Sequence, residues 1–264
     1  MSMSGTLMLL SKKKDTDGTN LDIYQMKPEE IIGLANHVRC CNMSYESDNH
    51  KEKTIMLLGE TGSGKSTLID ALFNYIAGVS LVDDYRFKLV NLTKEEKVKE
   101  GKQNESQTNG ITCYRIPWKH GSKIDCKLCV IDTPGFNDTR GPEFDKQISE
   151  MVKNLFQKGI KGLDALCLVV NVTRVRITDR EMYVFSSILE LFAKDISDNI
   201  FLFLTHDDGA TGEPTILQSL RKSDIPIKNG MHFRFNNANL FSILHSSEVW
   251  KAKDNNFSRF FDKT

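Results

Sequence analysis

An excess of either charge is the plainest absence in this sequence: 35 basic and 35 acidic residues give a formal net charge of +0. A chain that held nucleic acid or an anionic membrane by its whole surface would be basic, so composition predicts neither partner. No apolar run approaches the ~18–20 residues of a transmembrane helix. Near the start, the short apolar piece Leu7 to Leu10 precedes Lys12-Lys13-Lys14, the reverse of a signal peptide's order. Residue 2 is a serine rather than glycine and no prenylation box closes the sequence, so neither myristoylation nor prenylation is expected. A cytoplasmic protein is expected, one that meets a membrane only through a partner or a missing region.

Metal-ligand patterns are also scarce. Of six cysteines, Cys126 and Cys129 alone have a suggestive spacing. They lie in Lys123 to Ile131, which reads as a strand, and side chains three apart on a strand point to opposite faces. One zinc ion could not be shared between them. Cys40-Cys41 is no more persuasive, and all six read as structural.

What is present is Gly59 to Thr67, G-E-T-G-S-G-K-S-T, between the apolar run Thr54 to Leu58 and Leu68 to Phe73. Strand, glycine-rich loop and helix in that order match the phosphate-binding pattern G-x-x-x-x-G-K-[ST]. Backbone N–H groups from Gly59, Glu60, Thr61, Gly62, Ser63 and Gly64 through Thr67 are expected to surround a polyphosphate. The helix beginning near Lys65 aims its positive dipole end at the same anion. Lys65 is expected to reach the β- and γ-phosphates, and the Ser66 hydroxyl to hold Mg²⁺.

Around this loop the apolar pattern alternates strands with helices. Ile111 to Trp118 and Cys126 to Ile131 read as neighbouring strands, Ala165 to Val170 and Asn199 to Thr205 as buried ones, and Met231 to Phe235 as the last. Phe144 to Phe156, Thr178 to Ala193 (capped by Thr178 or Asp179), Pro214 to Arg221 and 239–261 read as helices. Lys27 to Val38 opens with Pro28-Glu29-Glu30 and spaces Ile31, Leu34, Ala35 and Val38 on one helical face, which predicts a short helix. Asp15 to Asn20 is a cluster of breakers, Ser44 to Lys53 a linker, and Thr93 to Gln107 a polar run suited to a ligand-dependent loop or a surface insertion. The fold expected is α/β, a P-loop NTPase with a mostly parallel central sheet of about six strands and helices on both faces. Residues 1–50 form a partly flexible extension, 51–250 the domain proper and 251–264 a helical tail. The apolar side chains of that tail, around Phe260-Phe261, have no evident cover, as in a piece of a longer protein.

Two further motifs fall at strand ends, where such sheets bind ligands. Asp132-Thr133-Pro134-Gly135 places Asp132 to hold the hydration shell of Mg²⁺ and Gly135 to approach a γ-phosphate. Thr112 is the first choice for completing the Mg²⁺ shell, with Thr108 the alternative. Thr205-His206-Asp207-Asp208 stands where GTPases carry [NT]-K-x-D, so Asp208 would pair with the guanine N–H groups and His206 would offer a flat surface. Asn236 and Asn237 follow the last strand and could close over the base. An ATP-using P-loop enzyme and a nucleotide-bound scaffold without hydrolysis remain alternatives.

Together with Phe136-Asn137-Asp138-Thr139 and Arg176-Ile177-Thr178-Asp179-Arg180-Glu181, these motifs resemble the septin-like GTPases. Within that group the sequence is most similar to the immunity-associated (AIG/GIMAP-type) GTPases and the plant GTPases at the chloroplast import gate. In that family an Arg-Phe-Thr-x-Glu-Glu box precedes a helix, a Thr-His or Thr-Arg pair replaces the usual lysine motif, and an Asn-Asn pair lies near the base. The resemblance, over roughly residues 53–245, implies GTP/GDP and Mg²⁺ as ligands, slow hydrolysis and a homodimer through the nucleotide face. One departure from small GTPases bears on rate: Phe136 occupies the place of their water-orienting glutamine. Faster turnover would need Arg140, Arg115 or Gln107 in cis, or a partner's arginine.

Overall fold

Period-two alternation along β5 (Glu52–Gly59) sets the layers of the molecule. Ile55 and Leu57 enter one hydrophobic core, Met56 and Leu58 the other, and all four are fully buried. The computed structural model describes residues 2–14, 21–35, 38–43, 49–90, 110–137, 141–192, 194–209, 212–223, 225–228, 230–242 and 246–264. Asp15 to Asn20, Thr93 to Gln107, Thr108 and Arg140 therefore lie outside the described residues, as does much of the 44–53 linker.

Beside β5 on one side lies β8 (Lys127–Asp132), and on the other β9 (Ala165–Asn171), both parallel to it. Outward from β9 come β10 (Ile200–Thr205) and β11 (His232–Arg234), again parallel. Outward from β8 comes β7 (Ile111–Ile116), which is antiparallel to it. These six strands are the mostly parallel sheet that the alternating pattern predicts. The strand expected from Lys123 or Cys126 begins only at Lys127; Cys126 lies just before it and belongs to one core, Cys129 to the other, and all six cysteines are buried free thiols.

Helices cover both faces. On one lie α1 (Met3–Leu9), α2 (Lys65–Ile76) and α6 (Ser247–Lys263); on the other, α3 (Pro142–Lys158), α4 (Asp179–Leu189) and α5 (Thr215–Arg221). The cap of α4 is Thr178, whose side chain accepts from Glu181 N while Glu181 reaches back to the Thr178 N–H. That helix stops at Leu189, short of Ala193, and α6 begins at Ser247, later than residue 239.

Two expectations are corrected. The segment predicted as a helix over Lys27 to Val38 is instead β3 (Glu29–Ala35) leading into β4 (Val38–Asn42). These pair antiparallel, and β4 runs parallel to β7, lengthening the sheet to eight strands among the described residues. Vacant N–H and C=O groups along β7 outweigh a helical spacing that local propensity supports only weakly. Residues further from the sheet, β1 (Ser11–Lys14) and β2 (Asp22–Met26), join β6 (Tyr85–Lys88) in a separate three-stranded sheet. Second, the tail does have cover. Phe260 is fully buried, its ring centroid 5.0 Å from those of both Phe201 and Phe203, and Phe257 lies 4.6 Å from Phe235.

Candidate functional site

β5 delivers its carboxyl end to the centre of the sheet, between β8 and β9, and the glycine-rich loop begins there. Gly64 starts α2 with φ 85° and ψ 17°, a left-handed conformation that a side chain would strain. No side chain caps the first turn, which leaves that job to an anion at the helix N-terminus. Lys65 folds back into the loop, donating to Gly59 O at 2.7 Å and Glu60 O at 3.1 Å. Burial lowers its ammonium pKa from 10.5 to about 8, against the opposing pull of Asp132 and Glu60. An anionic ligand would supply the missing counter-charge. Ser63 is buried, whereas Ser66 and Thr67 are half-buried at the mouth of the loop.

The second motif is knitted to the first. Thr61 N donates to Phe136 O at 3.0 Å, and Thr133 Oγ1 donates to Leu57 O at 2.8 Å. Gly135 abuts Thr61 so closely that a Cβ there would lie 2.5 Å from Thr61 Oγ1. Phe136 is fully buried, edge-on to Phe185 with centroids 5.3 Å apart, so its ring serves the core rather than a water molecule. Asp132 ends β8, buried, with Thr112 of β7 directly across from it. The Thr112 hydroxyl accepts from Arg39 Nη2 at 3.3 Å, a contact that exists because β4 lies beside β7.

At the far side of the loop, Thr205 Oγ1 donates to Ser63 O at 2.6 Å. His206 follows in the left-handed region at φ 57°, with its Cε1 3.4 Å from where a Cβ on Gly64 would stand. Asp208 is exposed two residues on. Asp207 N donates to Phe235 O at 3.2 Å, which brings the 205–208 segment beside Asn236 and Asn237. Asn236 Oδ1 accepts locally from Ala238 N, while Asn237 Oδ1 is buried and has no hydrogen-bond partner among the described residues.

A polar network that the motifs do not disclose joins these parts. Glu60 accepts from both Arg174 Nη1 and Asn137 Nδ2, and Arg174 also reaches Glu181 at 3.1 Å. Arg180 in turn bonds Asp145 and, at 3.1 Å, Asn137 Oδ1. The phosphate loop, the residue after Phe136 and the Arg174–Glu181 stretch thus share one set of side chains. Only Thr178-x-x-Glu181, a capping box, signalled part of it in sequence.

Asp70, inside α2, accepts from Leu89 N at 2.7 Å and Val90 N at 2.9 Å through a single oxygen, holding the chain just before residue 91. Burial raises its pKa from 3.8 to about 7, outweighing those two N–H bonds. A carboxyl raised on folding leaves stability intact below the unfolded pKa and erodes it as pH climbs to the folded one. Asp70→Asn keeps a carbonyl acceptor without the charge. Its stability relative to the parent should rise between pH 4 and 7 and level off above, by a few kcal/mol at about 1.4 per unit. Urea denaturation at pH 5 and pH 8 checks this; an unchanged difference would refute it.

Arg115 is not brought to the site. It lies opposite Cys129 on β8, and with Glu52 and Thr54 it lines a cavity at the amino ends of the strands. The phosphate loop is at the other end of β5, roughly 20 Å away at ~3.3 Å per residue, too far for Arg115 to serve in cis.

A strand, a glycine-rich loop and a lysine folded over a helix N-terminus, at the centre of a mostly parallel sheet, define a P-loop domain of the NTPase class. More narrowly, the AIG1 family matches residues 53–226, and the chain belongs to that family. Among curated relatives, immune-associated nucleotide-binding protein 13 of Arabidopsis thaliana is 33% identical over 169 residues, 63% of this chain and 41% of that protein. Septin-1 of Bos taurus is 36% identical over 86 residues, 33% of this chain and 19% of its own length. The chain thus spans well under two thirds of these relatives. Toc33 from Arabidopsis thaliana, solved in complex with GDP and Mg²⁺, shares the fold at a TM-score of 0.51 and 17% identity, covering 81% of this chain and 84% of that one. Among the described residues, no helix is long and apolar enough to cross a membrane.

Proposed function

We propose that this protein binds GTP and GDP with Mg²⁺, hydrolyses GTP slowly, and acts as a nucleotide-controlled switch or assembly module that pairs through its nucleotide face. The observation that carries this reading is the bond from Thr205 Oγ1 to Ser63 O at 2.6 Å. It fixes the end of β10 against the phosphate loop, so a purine whose phosphates occupy the loop extends past His206 toward Asp208. Membership of the AIG1 family and the GDP and Mg²⁺ held by Toc33 support the same ligands.

In this reading Lys65 and the loop amides bind the phosphates, Gly135 lies where the terminal one sits, and Ser66, Thr112 and Asp132 hold the metal. Mg²⁺, when bound, neutralises charge that develops on the phosphate oxygens. Asp208 accepts from the guanine N–H groups, His206 covers the ring, and Asn236 and Asn237 close the other side. With Phe136 committed to the core, nothing at that position orients the attacking water, and turnover stays near the unstimulated scale of about 10⁻⁴ to 10⁻² s⁻¹. Dimerisation is said to matter for the GTPase activity of Toc33, and pairing through the nucleotide face would let a second copy supply the missing charge here.

Equilibrium binding of fluorescent GTP, GDP and ATP with Mg²⁺ tests the reading. Guanine nucleotides should bind at least ~100-fold more tightly than ATP, a gap of about 2.7 kcal/mol, which Asp208→Ala should erase. In the same samples a non-hydrolysable GTP analogue should shift sedimentation toward dimer. Comparable ATP binding by the parent would end the guanine assignment, and an unshifted monomer the pairing.

A further inference from the structure

We propose that Asp207 and Arg234 are positioning residues for base recognition: their ion pair holds the loop after β10 in the one shape that lets Asp208 read the base. This rests on the guanine reading above. Arg234, the last residue of β11, faces Asp207 as a two-pronged fork, Nε to Oδ2 at 2.9 Å and Nη2 to Oδ1 at 2.6 Å. Its third nitrogen, Nη1, donates to Gly212 O at 3.2 Å, so one guanidinium spans both ends of residues 207–212. The backbone repeats the link, Asp207 N to Phe235 O at 3.2 Å. From behind, Asn256 of α6 donates to Arg234 O at 2.8 Å and ties β11 to the core helix.

The loop needs such bracing. His206 is a non-glycine residue at φ 57°, and Gly209 and Gly212 follow at 80° and 115°. The glycines adopt such angles freely, but for His206 the left-handed conformation persists only where surrounding contacts impose it. Asp208 is exposed and directly follows Asp207, the residue that the fork holds. The pair itself is partly shielded, with side chains 28% and 13% exposed. As a contribution to global stability such a pair counts for little, but a planar fork on a carboxylate fixes direction as well as distance. Two residues past Arg234's neighbour Phe235, Asn237 keeps a buried Oδ1 that has no hydrogen-bond partner among the described residues.

The test compares release of GDP, IDP and ADP with Mg²⁺ from the parent, and of GDP and IDP from Asp207→Asn, Arg234→Lys and the double variant. IDP lacks the 2-amino group, so it loses one charge-assisted hydrogen bond to Asp208. The parent should therefore hold GDP about tenfold or more longer than IDP. Each single variant should speed GDP release by about tenfold while barely altering IDP, pulling the ratio toward one. Lysine keeps the charge but not the fork, so it should not rescue. The double variant should be no worse than either single, because both break the same link. Unchanged GDP release in variants of a GDP-selective parent would overturn this inference alone. Equal acceleration of both nucleotides would overturn it too, since a general loosening of the fold does that. A parent that does not distinguish GDP from ADP would remove the guanine reading and this inference with it.

Discussion

Lys65→Met is expected to lose nucleotide binding by a factor of ~10² to 10³ and yet to fold as well as the parent. The two halves of this result have one cause. Lys65 is buried, its pKa lowered by burial to about 8, and its ammonium is spent on the carbonyls of Gly59 and Glu60. In the ligand-free protein a buried cation is costly to keep, so methionine, with a similar stem, removes that cost at the expense of two hydrogen bonds. With a polyphosphate in the loop the balance reverses. Two or more charge-assisted bonds at about 1.5–3 kcal/mol each disappear, enough for the loss quoted. Calorimetric titration with GDP and a thermal melt on the same sample read both halves. Retention of GDP affinity within tenfold would show that the loop amides, not the lysine, hold the phosphates.

The second large effect lies far from the ligand. Phe260→Ala should cost about 3–5 kcal/mol and lower the melting temperature by on the order of 10 °C. Its ring is fully buried and meets Phe201, Phe203 and Phe233 at centroid distances of 5.0, 5.0 and 5.9 Å. Those three belong to β10 and β11, the strands that carry the base-reading segments. No neighbour can fill a benzyl-sized hole in a layer made of rings. A cost under 1 kcal/mol by denaturant titration would mean that α6 is held by its other contacts and that Phe260 is incidental.

How far the sequence was legible follows from which features are local. The strand–loop–helix at Gly59–Thr67 needs only contiguous residues, and the structure places it as read. So do the continuous apolar runs of β9 and β10, buried on both faces because helices cover the sheet on either side. The segment from Lys27 to Val38 reads as a helix because Pro28-Glu29-Glu30 mimics a helix start and Ile31, Leu34, Ala35 and Val38 happen to match a helical period. What decides is the open side of β7, and no window around residue 30 contains β7. The same applies to the site. Thr178-x-x-Glu181 is readable as a cap, but that Glu181 shares Arg174 with Glu60 requires residues 121 positions apart to meet. Asp207 and Arg234, 27 residues apart, are a fork and its carboxylate only once β10 and β11 lie side by side. The tail's cover is invisible for a similar reason, since Phe260 is matched by rings on strands begun 60 and 28 residues earlier.

β3 and β4 also protect the sheet they lengthen. Without them β7 would form a border, presenting a row of unpaired backbone groups next to Thr112, and a bare border of that kind recruits strands from other molecules. β4 saturates it, and the border passes to β3, where Glu29 and Glu30 are exposed. Like charges at matching places repel a second copy of the same strand. The extension thus replaces an adhesive margin with a repellent one, and lateral stacking of sheets is discouraged on that side.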